Sequence, residues 1–246
     1  MRAIAFIKLV IDNLLQKNMN VKDLDDLGDL YHEYSVFGVK NKQLPGIFKP
    51  NQYSKAYIIR AYIQLSIAKC KTSIETPVSF TELFCADGYY AMVASHFGAT
   101  TVYGVDNNRD GYFTKANIIA SRLGLTNVHF IQEDVDNLDS LEKVDIVANI
   151  GGLYHVSNPQ DILVKSYNMA KKYLIVQSVV SLANTDPDYF ETPAPGWTWG
   201  CRFNKISFDR MIKKLKFDLI DQHFNELEGN DRPEDRGSVY YLIKVR

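Results

Sequence analysis

The sequence predicts an α/β fold: an open, doubly wound sheet of seven strands with an antiparallel C-terminal hairpin, preceded by a helical cap. Three observations predict it. From about residue 77 onward, short β-branched and apolar runs alternate with helical stretches of about 10–15 residues, the pattern of βαβ units in a parallel sheet covered on both faces. The last two runs, residues 219–225 and 239–245, have no helix between them, so they pair as an antiparallel hairpin at the sheet edge. Before Thr76-Pro77 the apolar residues instead recur at helical spacing. The division expected is a cap over 1–76 and a sheet domain over 77–246.

In the cap, Ile4, Ile7, Ile11, Leu14 and Leu15 form one stripe with Arg2, Lys8, Asp12 and Lys17 off it. That is an amphipathic helix, and its mixed-sign polar face favours docking on its own domain over lying in a membrane interface. Residues 23–28 read as a short helix or turn, Leu44-Pro45-Gly46 as a loop, and 53–68 as a second helix. In the sheet domain the expected strands are 80–84, 101–105, 128–132, 144–149 and 173–178, separated by helices near 90–97, 112–123 and 159–171, with another helix at 207–215 before the hairpin.

Composition bounds the function. With 246 residues, 46% hydrophobic and 23% charged, the chain builds a full core, which excludes intrinsic disorder and a disulfide-stapled miniprotein. A net charge of -1 gives no long-range pull on phosphate backbones or anionic lipid. Cys70, Cys85 and Cys201 form no CxxC pair, as expected of reduced thiols, and no metal site is expected. Lys8 and Asp12 interrupt the first apolar run, and no apolar stretch reaches membrane-spanning length, so a cytoplasmic location is expected.

Open parallel sheets bind ligands at the carboxyl ends of their strands. The first strand here runs into Glu82-Leu83-Phe84-Cys85-Ala86-Asp87-Gly88, a tight loop opening a helix whose free N–H groups suit an anionic group. The second ends in Asp106-Asn107, where an acid can hold a ribose diol, and the third in Glu133-Asp134-Val135, where a second acid can accept from an exocyclic amine. Each tip alone is a weak signal; Asp106 could equally cap a helix.

Together the three tips resemble class I S-adenosylmethionine-dependent methyltransferases, a Rossmann-like family, and the resemblance runs from about residue 80 to residue 246, hairpin included. In that family's loop an acid is followed by three glycines; Glu82 and Gly88 match the first and last positions, while Phe84 and Ala86 replace the other two. The resemblance implies S-adenosylmethionine as cofactor, with S-adenosylhomocysteine as product. It implies a binding set of Glu82, Phe84, Ala86, Asp87, Gly88, Asp106, Asn107, Asp134, Val135, Asn149 and Ile150, with Asp106 on the ribose, Asp134 on the adenine amine, and Asn149 and Ile150 at the methionine end. A nicotinamide-dependent enzyme would share the first two tips, but the terminal hairpin argues against it.

After the fourth strand, Gly151-Gly152 permits a bend that delivers Tyr154 and His155 to the pocket rim. Residues 152–159 resemble the same region of the tRNA uridine carboxymethyltransferase group, which carries a similar Leu-Tyr-His stretch before a proline. His155 and Tyr154 are the candidate catalytic residues, His155 as a base because its ordinary pKa lies near neutrality. Orienting the loop without taking a proton is the other reading, and both stay open, since transfer from a sulfonium needs chiefly proximity and alignment. His32, His96, His129 and His223 are read as packing or surface residues.

Two loops face the expected substrate side. Residues 192–203 hold Trp197, Trp199 and Arg202, able to wall an aromatic or anionic site or simply to pin the loop; residues 226–237 add Asn230 and Arg232. Residues 31–35 and 50–53 could fold over the cofactor as a lid. The expected reaction is methyl transfer to a small-molecule acceptor: a sugar-like or aromatic hydroxyl, an amine or a carbon. Two alternatives stand beside it. One is tRNA wobble-uridine-type modification, with the methyl donor or its carboxylated form, suggested by the Leu-Tyr-His stretch and by Lys40, Lys42, Lys49 and Lys55. The other is a non-catalytic binding module, suggested by Phe84 and Ala86. No membrane partner is expected, and self-association is left open.

Overall fold

The computed structural model describes residues 23–246, so the stripe from Ile4 to Leu15 expected to dock as a helix lies outside the described residues. A 3₁₀ turn at Asp25–Leu27 stands where a short helix or turn is expected. Helix α1 (Phe48–Cys70) extends past both ends of the expected 53–68. Pro50 explains its early start: in the first turn a missing N–H forfeits no helical bond, so proline opens a helix rather than breaking it.

Strands and helices then alternate as expected: β1 (Ser79–Leu83), α2 (Tyr89–His96), β2 (Thr101–Asp106), α3 (Ala116–Arg122), β3 (Val128–Gln132), β4 (Val144–Ile150), α4 (Pro159–Met169) and β5 (Ala170–Val180). After β5 come a short ribbon of β6 (Phe190–Glu191) and β7 (Arg202–Phe203), then α5 (Lys205–Lys214), β8 (Asp218–Glu226) and β9 (Gly237–Lys244). The ribbon is absent from the sequence reading, because a two-residue strand is too short to show alternation.

The seven-stranded sheet has the order β3-β2-β1-β4-β5-β9-β8. Its first five strands are parallel, and β9 runs antiparallel to both β5 and β8, as the missing crossover helix requires. Side chains alternate between two apolar layers: Phe80 of β1 with Ile146, Ala148 and Ile150 of β4 face α1, α2 and α3, whereas Leu83 and Val147 face α4 and α5. Connections leave β1 and β4 in opposite directions, which opens a crevice above their carboxyl ends.

Candidate active site

The loop between β1 and α2 is built on three left-handed residues, Phe84 at φ 59°, Ala86 at 48° and Gly88 at 83°. Two of them are not glycine, yet they hold the backbone form glycine would adopt without strain. At Gly88 glycine is required outright, because a Cβ there would lie 2.3 Å from the Phe130 ring. The Phe84 ring is absorbed by Gly152 after β4, where a Cβ would lie 1.8 Å from it. Thus the added bulk of Phe84 is accommodated across the crevice.

Backbone amides fix the acids. Glu82 accepts the Ala91 N–H at 2.7 Å in the first turn of α2, and burial pushes its carboxyl well above the usual range. Asp106 accepts the Ala86 N–H at 3.0 Å and the Asn108 N–H at 2.7 Å, tying the tip of β2 to the loop after β1; burial raises its carboxyl too. Asp134 accepts from the Asn107 side chain at 3.0 Å and the Asp136 N–H at 3.0 Å, which hold it below the usual range.

These groups converge on one cavity of about 500 Å³ over the strand tips. Of the expected cofactor residues, Glu82, Phe84, Ala86, Asp106, Asn107, Asp134, Val135 and Ile150 line it. Three do not. Asp87 turns toward the cap, accepting the His32 N–H at 2.9 Å and bonding His32 Nδ1 at 2.6 Å; Gly88 packs under Phe130. Asn149 is fully buried on the other side of the sheet, where its amide donates to Ser166 Oγ of α4 at 3.0 Å, because strand alternation pairs it with Leu83 and not with Glu82. The lining fits a nucleoside carrying a sulfonium: fixed carboxylates at two neighbouring tips, apolar Val135 and Ile150, and Tyr90 Oη, buried on the wall with no hydrogen-bond partner among the described residues.

A second cavity of about 180 Å³ adjoins the first, and Tyr31, His32, Lys55, His155 and Trp199 line both. Tyr154, Trp197, Arg202 and Asn230 line only the second. The ribbon brings the ends of the tryptophan loop together, and Cys201 N–H donates to Tyr154 O at 3.0 Å. Gly200 makes that approach possible, since a Cβ there would lie 2.4 Å from Tyr154 O. His155 stacks on Trp199 with centroids 5.1 Å apart, and the Arg109 guanidinium lies 4.5 Å from the Trp199 ring. Burial, then Arg109, lowers His155 to about 4, so the imidazole is neutral near pH 7, and its Nδ1 has no partner among the described residues. Burial raises the Tyr154 hydroxyl to about 12.

Two expected substrate residues are structural clamps. Arg202 donates to Asp235 at 2.7 and 2.9 Å, to Cys201 O at 2.7 Å and to Tyr154 O at 3.4 Å. Arg232 donates to Pro195 O at 2.6 Å and lines neither cavity, which corrects its placement on the substrate. Asn230 donates to Asp235 O at 2.8 Å within the hairpin loop.

Sequence reasoning missed Arg109 and the cavity positions of Lys55 and His32; Lys55 entered it only among the lysines of the tRNA alternative. Lys55 shares a buried helical stripe with Ile59, Tyr62, Ile63 and Ser66, a spacing visible in the sequence and marking it as an inward lysine. His32, read as a packing residue within a segment able to form a lid, joins the cap to the Asp87 loop and lines both cavities. Nothing in the text around Arg109 marks it.

A family model described as a methyltransferase domain matches residues 76–205, more than half of the chain. No curated protein matches. Among solved structures the chain is similar to magnesium protoporphyrin IX methyltransferase from Synechocystis PCC 6803 with bound S-adenosylhomocysteine, at 13% identity and TM-score 0.60 over 83% of this chain and 89% of that one. It is similar to the N-terminal domain of EvdMO1, crystallised with S-adenosylhomocysteine and D-fucose, at 13% identity and TM-score 0.60 over 90% and 93%. TehB from Haemophilus influenzae gives 17% identity and TM-score 0.55 over 80% and 67%. At these identities the neighbours speak for the fold, and the family model carries the assignment: the chain belongs to the methyltransferase domain family, with the class I fold of its S-adenosylmethionine-dependent enzymes.

Proposed function

We propose that the chain transfers the methyl group of S-adenosylmethionine, bound in the cavity over the strand tips, to a small-molecule acceptor seated in the adjoining cavity. The observation that carries this reading is the shared wall: Tyr31, His32, Lys55, His155 and Trp199 line both spaces, so two ligands bound there would meet. The donor supplies an electrophilic methyl on a positively charged sulfur. Asp106 takes the ribose hydroxyls on its remaining lone pairs, Asp134 and the Val135 backbone take the adenine edge, and the loop from Phe84 with Ile150 takes the methionine end. Cap residues Tyr31 and His32 roof the site and exclude water from it.

A neutral His155 with a free Nδ1 is suited to accept a hydrogen bond from an acceptor hydroxyl or amine, while its low basicity favours aligning that group over removing its proton. Tyr154, on the acceptor side, is a second positioning group. The tRNA reading loses part of its basic run: of its four lysines, Lys55 is buried and Lys49 pairs with Glu33 at 3.4 Å. The non-catalytic reading loses its motive, since Phe84 and Ala86 keep the loop in the form glycines would give.

Calorimetry with S-adenosylhomocysteine tests the donor site. Wild type binds it, and Asp106→Ala weakens binding by at least about ten-fold, the loss of one well-placed hydrogen-bonding group. Unchanged affinity in the variant refutes the placement of the ribose. Release of S-adenosylhomocysteine on addition of small acceptors then separates an enzyme from a binding module.

A further inference from the structure

Lys55 is the one cationic group at the seam of the two cavities for which no described residue supplies an acceptor. It lines both spaces, it is 9% exposed, and no hydrogen bond or ion pair reaches its ammonium among the described residues. The other cations nearby are committed. Arg202 is held by Asp235 and by two carbonyls, and Arg109 is paired with Asp110 at 3.2 Å while it stacks on Trp199. Glu82, the carboxylate that bears on Lys55, makes no ion pair with it; it is bonded to the Ala91 N–H, and burial pushes its carboxyl well above the usual range. Burial lowers Lys55 itself to about 8, the mark of an ammonium without a counter-ion. A buried, unpaired charge is costly, and folds retain one where a ligand completes the pair.

The rest of the acceptor cavity says what that ligand looks like. Ile47, Phe48, Val179 and Trp197 give it apolar walls, and its volume of about 180 Å³ is below the roughly 300–1,000 Å³ of drug-sized sites. Several of its other polar groups are spent on the protein: Asp235 on Arg202, Asn230 on Asp235 O, and Gln52 on the Glu33 backbone and the Gln43 side chain, whereas His155 Nδ1 stays open to the ligand.

We propose that Lys55 recognises a carboxylate on a one- or two-ring acceptor whose rings lie against Phe48 and Trp197. This deepens the proposed methyl transfer and rests on the donor occupying the neighbouring cavity.

The experiment measures binding of three carboxylates, benzoate, phenylacetate and indole-3-acetate, each against its neutral amide, with S-adenosylhomocysteine saturating so that any anion bound belongs to the acceptor and not to the donor. Wild type, Lys55→Met and Lys55→Gln are compared, and each is first titrated with S-adenosylhomocysteine and checked for folding by thermal unfolding. At least one carboxylate binds wild type about ten-fold or more tighter than its amide, as a charge-assisted hydrogen bond provides, and both variants lose that preference. Wild type that binds S-adenosylhomocysteine but prefers no carboxylate, or a preference that survives in either folded variant, overturns the role of Lys55 alone. Wild type that does not bind S-adenosylhomocysteine overturns the donor site, and this inference with it.

Discussion

Replacing Gly152 with alanine drives a methyl group into the Phe84 ring, and the cost depends on that ring being there. Gly152 has φ −108° and ψ −37°, a conformation alanine adopts freely, so backbone strain contributes nothing. The added Cβ would meet three ring carbons at 1.8, 2.2 and 2.2 Å, and an aromatic ring cannot fold away as a flexible chain end can. Overpacking of this kind costs about 3 kcal/mol, the upper end of its usual range. For a chain of this size that lowers Tm by about 6–12 °C, at roughly 2–4 °C per kcal/mol. Phe84→Gly removes the obstacle and relieves a left-handed residue of about 1 kcal/mol of strain, offset by the lost contact of the ring. In that background Gly152→Ala costs less than about 1 kcal/mol, so the cycle shows a coupling of about 2 kcal/mol. Thermal and urea unfolding of the four proteins measure it. Equal cost of Gly152→Ala in both backgrounds refutes the claim that Gly152 exists to receive the Phe84 ring.

Asp87→Asn puts an amide in place of one of two buried carboxylate oxygens that both bond His32; losing that acceptor destabilises the chain by about 2 kcal/mol, read in urea unfolding, and loosens the cap, read as faster proteolysis before Phe48. Stability also depends on pH through His155. Its folded pKa of about 4 lies below the ordinary 6.5, so between those values the unfolded state binds a proton the folded state refuses. The contribution is therefore complete above about pH 6.5 and lost as pH falls toward 4, by up to about 3 kcal/mol. His155→Gln removes that part of the pH dependence, and identical pH profiles in unfolding experiments at pH 4.5 and 7.5 contradict it.

The sheet was legible because each strand is a short apolar run bounded by a helix of different period, and the final hairpin because two such runs have nothing between them. The cavity was legible where chemistry sits at a strand tip: Asp106 and Asp134 follow directly from where β2 and β3 end. Errors arose where a residue's face matters. Leu83 pairs with Asn149 in register, so the alternation that sends Leu83 into the α4 layer sends Asn149 there as well; counting from Phe80 would have found it. Asp87 was misplaced because its partner His32 is 55 residues away, a separation no local pattern reveals. The same holds for Arg202 and Arg232, whose partners Asp235 and Pro195 belong to loops brought together only by the ribbon and the hairpin.

Left-handed backbone at non-glycine residues gathers in the loops beside the donor cavity. Three of the four described non-glycine residues with left-handed backbone, Phe84, Ala86 and Asn108, lie in the loops after β1 and β2; the fourth, Lys216, lies beyond the end of α5. Tyr90 Oη and His155 Nδ1 are buried there without partners among the described residues, and Lys55 lacks a counter-ion in the same place. Each costs on the order of 1–3 kcal/mol in a chain whose whole stability is about 5–15 kcal/mol. Tyr90 Oη, His155 Nδ1 and the Lys55 ammonium lie where two ligands are proposed to meet, so a ligand that supplies their partners removes those costs and stabilises the folded chain on binding.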